Sequence, residues 1–98
     1  MIPCEVNKTV VVSNNLGLHL RPADLLVRCA SKFDSEILIV KDGQPVDCKS
    51  ILSLLTLGAA QGTELQVITR GDDSESAMSA IVELFDNGFY ELEATEPI

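Results

Sequence analysis

The dipeptide Asp42-Gly43 constrains the fold of this chain more than any other feature of its sequence. It separates the apolar run Ile37 to Val40 from a short extended segment, Gln44 to Cys48. A two-residue loop of this type favours a tight β-hairpin, because glycine adopts positive φ at no steric cost. Pro45 has no backbone N–H for a neighbouring strand, so the second strand is predicted to lie at a sheet edge. We therefore expect an antiparallel pair, and an α+β fold rather than a doubly wound one.

Hydrophobic periodicity predicts the remaining elements on either side of this hairpin. Apolar residues at helical spacing predict a helix from Leu20 to Phe33, a short helix begun by Ser50 that ends near Gly58, and a last helix stopped by Asn87-Gly88. Alternating residues predict strands from Glu5 to Ser13 and from Thr63 to Arg70. Asp72 and Asp73 are interpreted as charges at the start of the last helix, where its dipole favours acids.

The order of elements, βαββαβα, predicts a four-stranded antiparallel sheet with helices on one face. Strands 1 and 4 flanking strand 2 would complete a small open sandwich, although the sequence alone leaves the strand order open. A chain of 98 residues forms a single domain, which we place at residues 1–88. Residues 89–98 are expected to form a mobile acidic tail.

The charge of the chain is unevenly distributed. Its formal net charge of −8 argues against nucleic acid and anionic membrane surfaces as partners. Residues 1–70 carry seven acids and seven bases, whereas residues 71–98 carry eight acids and no base. The first seventy residues can therefore still contain a locally positive site.

Several other classes of protein are disfavoured by the sequence. No apolar run approaches the roughly 18–20 residues of a membrane helix, and the N-terminus lacks the features of a secretory signal. Cys4, Cys29 and Cys48 are far apart, so we expect free buried thiols in a reducing cytoplasm rather than disulfides or a metal site. We expect no cofactor.

The segment Gly17 to Ala23 contains the candidate functional site. Its His19 is the only histidine of the chain and lies where a glycine-containing turn leads into a helix. The first backbone N–H groups of a helix have no intrahelical acceptor and, with the helix dipole, favour an anion. Leu20 and Arg21 supply such N–H groups, and the Arg21 guanidinium suits phosphate oxygens. A neutral imidazole there is a nucleophile toward a phosphoryl group.

Two segments resemble the signatures of a known family. Gly17-Leu18-His19-Leu20-Arg21-Pro22-Ala23 resembles the active-site signature of HPr, the histidine-containing phosphocarriers of the bacterial phosphoenolpyruvate-dependent sugar phosphotransferase system. Residues 48–58 resemble its second signature, around a regulatory serine. Their separation and the element order match the family's open-faced β-sandwich, and the resemblance covers about residues 5–88.

This resemblance implies a phosphoryl relay rather than an enzyme in the usual sense. By it, His19 accepts a phosphoryl group on Nδ1 from phosphorylated enzyme I and passes it to sugar-specific IIA domains, with Arg21 neutralising the phosphate. Ser50 resembles the site modified by HPr kinase/phosphorylase, where added charge would repel an acidic enzyme I. We expect a monomer. The candidate docking residues are Leu20, Arg28, Lys49, Ile51, Leu52 and Leu55, although core packing is an equal alternative for Ile51 and Leu55.

Two alternatives remain open at this point. Leu20 is bulkier than the Ala or Thr usually found after the active histidine, which bears on partner specificity. The chain is also more acidic than many sugar-system members of the family, so a nitrogen-related phosphotransfer paralogue stays open. A regulatory binding module controlled at Ser50 is the other, although such a module needs no nucleophile at His19.

Overall fold

The computed structural model describes residues 4–90, which form one sheet and three helices. The predicted order of elements and the α+β fold class are confirmed. In chain order the elements are β1 (Glu5–Val11), α1 (Leu20–Ala30), β2 (Glu36–Lys41), β3 (Gln44–Asp47), α2 (Ile51–Leu55), β4 (Glu64–Arg70), α3 (Ser74–Asp86) and a final 3₁₀ turn (Gly88–Tyr90).

The sheet is antiparallel throughout, with the strand order β1-β4-β2-β3. The expectation that strands 1 and 4 flank strand 2 is confirmed for β4, which pairs with β2, and wrong for β1, which pairs with β4 while β3 lies on the other side of β2. The two central strands carry fully buried side chains, among them Ile39 and Val67, which are paired in register. β3, which contains Pro45, is an edge strand as predicted.

The hairpin between β2 and β3 has the predicted tight turn. Asp42 and Gly43 have φ values of 51° and 81°, which correspond to a type I′ turn. Lys41 pairs with Gln44 on either side of it. This turn geometry matches the right-handed twist of the two strands, which is the physical reason why Asp-Gly between two apolar segments predicts a hairpin.

Helix α1 begins at Leu20 as expected but ends at Ala30, three residues before the predicted end at Phe33. The backbone N–H groups of Lys32 and Phe33 donate to the carbonyl groups three residues earlier, at 3.1 Å each, so the chain tightens after the helix. Phe33 is still half-buried against the core. Phe33 thus continues the apolar spacing of the helix, although it lies outside the helix itself.

Asp73 lies at the N-cap of α3, at the helix start as predicted, and its carboxylate has a further role. It precedes α3, but its carboxylate makes no capping hydrogen bond to that helix. Instead it accepts hydrogen bonds from the backbone N–H groups of Asp34 and Ser35 and from the Ser35 hydroxyl. The contact joins the start of α3 to the turn before β2. Sequence periodicity could not reveal it, because the partners are 38 and 39 positions apart.

The three thiols have different environments. Cys48 is buried and Cys29 is half-buried, but Cys4 is exposed, so the expectation of buried thiols is wrong for Cys4. Cys4 immediately precedes the first residue of β1 and lies outside the core. Burial raises the pKa of the Cys48 thiol to about 12, with smaller contributions from Cys29 and Asp47. All three thiols are free.

The core continues slightly beyond the predicted domain boundary at residue 88. Phe89 is buried, and its ring lies edge-on against that of Phe85 with centroids 4.9 Å apart. The division into residues 1–88 and a mobile tail at 89–98 stays a prediction, because residues 91–98 lie outside the described residues. Within the described part of the chain, no helix is long and apolar enough to cross a membrane.

Candidate functional site

The loop that leads into α1 is held in place by close contacts. Gly17 has φ of +70°, and a Cβ atom there would clash with the carbonyl oxygen of Ala59. The Leu18 N–H donates to that same carbonyl at 2.9 Å, and the Asn14 side-chain amide donates to the Gly17 carbonyl at 2.8 Å. Glycine is therefore required at position 17 for both its backbone conformation and its lack of a side chain. His19 comes directly after Leu18, so the contacts that hold this loop also hold the backbone just before the histidine.

His19 is the N-cap residue of α1, in the position that the sequence predicted. Its backbone is extended (φ −86°, ψ −166°), and its carbonyl accepts the first helical hydrogen bond, from Ala23 N–H at 3.1 Å. Its side chain makes no capping bond to the helix. The N–H groups of Leu20 and Arg21 lie in the first turn, where a helix offers them no acceptor, and no acidic residue occupies that turn. The half-buried imidazole thus lies at the positive end of the helix.

An open depression of about 490 Å³ surrounds the histidine. Its lining residues are His19, Leu20, Arg21, Asp24 and Ile51. Helix α1 supplies three of them, its N-cap residue His19 is the fourth, and Ile51, the first residue of α2, is the fifth. The depression therefore joins the two segments that carry the sequence signatures, and it offers one imidazole, one guanidinium and one carboxylate to a ligand.

The candidate docking residues divide into exposed and half-buried positions. Leu20 and Leu52 are 62% and 73% exposed, which is high for leucine. Ile51 and Leu55 are half-buried and pack against the core, so these two serve core packing at least in part. Leu54, between them, is fully buried. Leu20 and Ile51 line the depression, and Leu52 follows Ile51 on α2; we call Leu20, Leu52 and the exposed part of Ile51 the apolar patch.

Ser50 lies at the N-cap of α2 as predicted. Its Oγ accepts a hydrogen bond from the Ser53 N–H at 3.3 Å, and its residue is half-buried. The next residue, Ile51, lines the depression. A group attached to Ser50 would therefore lie next to the apolar patch.

The two basic docking candidates are both engaged within the chain. Arg28 Nε donates to Asp24 Oδ2 at 2.8 Å, in an ion pair one helical turn apart. Lys49 Nζ donates to the backbone carbonyl of Phe33 at 2.7 Å, which ties the segment before α2 to the turn after α1. Arg28 stays largely exposed despite its ion pair, whereas Lys49 is half-buried. Lys49 therefore has a structural contact that sequence reasoning did not anticipate.

Sequence reasoning missed two residues of this region. Asp24 was recognised as the partner of Arg28, but its place in the lining of the depression was not. Leu16 is 73% exposed in the loop before His19 and was treated only as part of a turn. An apolar residue within a run of turn-forming residues was the signal that could have identified it.

Comparison with known proteins gives one consistent family. The family model described as "PTS HPr component phosphorylation site" matches residues 6–87. The phosphocarrier protein HPr of Treponema pallidum is 46% identical over 86 residues, which cover 88% of this chain and 98% of that protein. The phosphocarrier protein NPr of Escherichia coli is 38% identical over 87 residues, covering 88% and 97%.

The fold is similar to that of a solved relative. A crystal structure of HPr-C-His from Thermoanaerobacter tengcongensis superimposes with a TM-score of 0.85 at 41% sequence identity. The match covers 89% of this chain and 98% of that one. The agreement therefore includes the sheet, the three helices and the loop that contains the candidate histidine.

Proposed function

The chain belongs to the HPr family of phosphotransferase-system phosphocarriers, and from that premise we propose that it carries the phosphoryl group on His19. The donor in this proposal is phosphorylated enzyme I, and the acceptors are IIA domains. His19 is transiently modified and then restored, so the chain acts as a stoichiometric carrier and requires no cofactor.

The observation that carries this proposal is the placement of His19 at the N-cap of α1 beside Arg21. The helix start offers backbone N–H groups and a positive dipole end, and Arg21 lines the same depression with its guanidinium. These groups stabilise negative charge where a phosphoryl group on the imidazole would lie. A histidine on an exposed helix face would have none of this support.

The chemical step is an in-line transfer to nitrogen. The lone pair of His19 Nδ1 attacks phosphorus, the bond between phosphorus and the donor atom breaks, and the electron pair of that bond stays with the donor. The reverse sequence passes the group to the acceptor, and no water enters either step. Because the carrier's own site is open to solvent, the two partners supply much of the positioning on which phosphoryl transfer depends.

Partner docking in this proposal uses the apolar patch formed by Leu20, Leu52 and Ile51. Exposed leucines beside a charged site are costly in water and gain free energy when a partner covers them. Arg28, which is largely exposed, is assigned in this proposal to the rim of the docking surface. Lys49 and Leu55 contribute mainly by holding α2 in place. The carrier works in this scheme as a cytoplasmic monomer that meets one partner at a time.

We assign a regulatory role to Ser50 in the same proposal. A phosphate on Ser50 adds about −1.5 to −2 charges next to Ile51, beside the surface that partners cover. It also ends the present role of the hydroxyl as the cap acceptor for Ser53 N–H. An acidic enzyme I would then be repelled before it reaches His19. The modifying enzyme would be a kinase of the HPr kinase/phosphorylase type.

The test uses enzyme I and radiolabelled phosphoenolpyruvate with the intact chain. The expected product carries one acid-labile, base-stable phosphate, and its position is unambiguous because the chain has a single histidine. The variant His19→Ala should remain unlabelled, while Ser50→Ala should be labelled like the original chain. Equal labelling of His19→Ala would rule out the proposal.

The same experiment separates the alternatives. The nitrogen-related paralogue is favoured by the identity with NPr, and it predicts faster labelling by the nitrogen-system enzyme I than by the sugar-system one. The regulatory module predicts acid-stable, ATP-dependent label on Ser50 and none on His19. The identity is higher with a relative named HPr, at 46%, than with NPr, at 38%, so we take sugar-system enzyme I as the expected donor.

A further inference from the structure

The depression around His19 contains a carboxylate as well as the cation that suits a phosphoryl group. Asp24 follows Arg21 by three residues on α1, so the two side chains project from the same face of the helix. Both line the depression together with His19. Among the described residues that line it, Asp24 alone carries a carboxylate.

Arg28 only partly neutralises this carboxylate. Its Nε donates to one oxygen of Asp24 at 2.8 Å, and the two side chains are 75% and 46% exposed. An exposed ion pair of residues four apart on a helix is weak, and its members remain hydrated. The field of the carboxylate therefore still acts on the depression, where it offsets the charge of Arg21.

The transfer of a phosphoryl group to His19 changes the balance of charge between Asp24 and Arg21 in the depression. A phosphate monoanion or dianion adds up to about two negative charges to a site that already holds the Asp24 carboxylate. Repulsion between this carboxylate and the phosphate raises the free energy of the phosphorylated form, whereas the unmodified imidazole carries no negative charge for the carboxylate to repel. The effect acts on the equilibrium of phosphorylation, independently of how fast any partner docks.

We propose that Asp24 sets the phosphoryl-transfer potential of this carrier by destabilising the phosphorylated form of His19. The inference rests on the proposed function, because it requires a phosphohistidine at His19. The overall reaction is phosphoenolpyruvate plus carrier giving pyruvate plus phosphocarrier, with enzyme I as catalyst. Asp24 shifts this equilibrium toward the unphosphorylated carrier, so that the group leaves more readily for an acceptor.

The direct test measures the equilibrium constant of that reaction for the original chain and for Asp24→Asn. Catalytic enzyme I and fixed amounts of phosphoenolpyruvate and pyruvate are used, and intact mass gives the phosphorylated fraction. The Asp24→Asn variant should raise the constant about 2- to 10-fold at low ionic strength. The ratio of the Asp24→Asn constant to the constant of the original chain should approach one in about 1 M salt, where the Debye length is near 3 Å.

Matched variants distinguish a charge effect from a structural one. Asp24→Glu keeps the charge and should stay close to the original constant. Asp42→Asn removes one exposed carboxylate in the β2–β3 turn, which does not line the depression, and should leave the constant unchanged. A rise with Asp42→Asn equal to that with Asp24→Asn would overturn the proposal, because net charge alone would then explain both.

The substitution Asp24→Asn also releases Arg28 from its ion pair. A second genetic background, Arg28→Gln, controls for the effect of that released side chain. In Arg28→Gln, replacing Asp24 by Asn should raise the constant at least as much as in the original chain, since the carboxylate there is no longer neutralised. No rise in that background would assign the effect to Arg28 and overturn the proposal. If the original chain is not phosphorylated at all, the proposed function itself fails, and the two failures are thereby distinguished.

Discussion

The Asp73 carboxylate accepts a hydrogen bond from the backbone N–H of Ser35 at 2.9 Å, across 38 positions of the chain. It also accepts from the Ser35 hydroxyl and from the Asp34 N–H. These donors, the Ser35 hydroxyl first, hold the pKa of Asp73 below its ordinary value. The contact ties the end of the α1–β2 turn to the residue that precedes α3.

Asp73 should make folding stability depend on pH in the acid range. Because its folded pKa is lowered, its contribution is present above the ordinary pKa of about 3.9 and is lost as pH falls through and below that value. Asp73→Asn, which does not titrate, should lose less stability between pH 6 and pH 3 than the original chain, and should be less stable at pH 6. Urea unfolding at several pH values measures both, and parallel curves for the two proteins would contradict this.

Gly17→Ala should be far more damaging than a substitution at another glycine with positive φ. Position 17 combines φ of +70° with a clash against Ala59, whereas Gly58 has φ of +60° and nothing within 4 Å of its Cβ position. Gly58→Ala should cost about 1–2 kcal/mol, the penalty of the left-handed conformation alone. Gly17→Ala should cost more and slow phosphorylation of His19, because its loop holds the histidine. Equal destabilisation in urea titrations would refute the role of the contact.

Two substitutions at Ser50 should distinguish its capping role from its regulatory role. Ser50→Ala removes the acceptor for Ser53 N–H and should lower the free energy of unfolding by about 1 kcal/mol. Ser50→Asp keeps an acceptor at the N-cap and adds a charge beside Ile51. We expect it to remain nearly as stable as the original chain while it slows the labelling of His19 by enzyme I. Labelling at the original rate would argue against control at this position.

Substitutions of two nearby leucines of α2 should affect different properties of the protein, stability in one case and partner binding in the other. Leu52 is 73% exposed and Leu54 is fully buried. Leu54→Ala should destabilise the fold by about 2–5 kcal/mol, because it leaves a cavity in the core. Leu52→Ala should change stability by less than about 0.5 kcal/mol but raise the KM of enzyme I for the carrier. An unchanged KM for Leu52→Ala would remove Leu52 from the docking surface.

The three thiols should react with iodoacetamide in the order of their exposure. Cys4 is exposed, and Cys48 is buried with a pKa of about 12, so at pH 8 only about one Cys48 thiol in ten thousand is ionised. The first modification in folded protein should therefore map to Cys4, and Cys48 should react only in denaturant. Peptide mapping after timed alkylation gives the order, and early modification of Cys48 would mean that its environment opens in solution.

The elements that the sequence predicted well are those specified by neighbouring residues. The Asp42-Gly43 turn, the start of α1 at Leu20 and the capping role of Ser50 each depend on a few positions in a row. The end of α1 was misplaced because Phe33 continues the apolar period after the hydrogen bonds have tightened. Apolar spacing reports which side chains face the core, and it does not report where helical geometry ends.

The candidate site shows the same division. The sequence placed His19 and Arg21 at a helix start, because the turn before them and the apolar period after them are local. It could not place Asp24 in the same depression as Ile51, which is 27 positions away and on another helix. It also gave no indication that Lys49 would bond to the carbonyl of Phe33.

The sequence by itself determined the order of helices and strands, the α+β class and the histidine at the start of α1, because each follows from short-range periodicity and turn chemistry. Only the tertiary structure decided that β4 inserts between β1 and β2, that Asp73 holds the Ser35 turn, and that α2 brings Ile51 to the depression around His19. These relationships depend on how buried faces pack between segments distant in the chain. Several arrangements can satisfy the same local pattern, and long-range packing selects one of them.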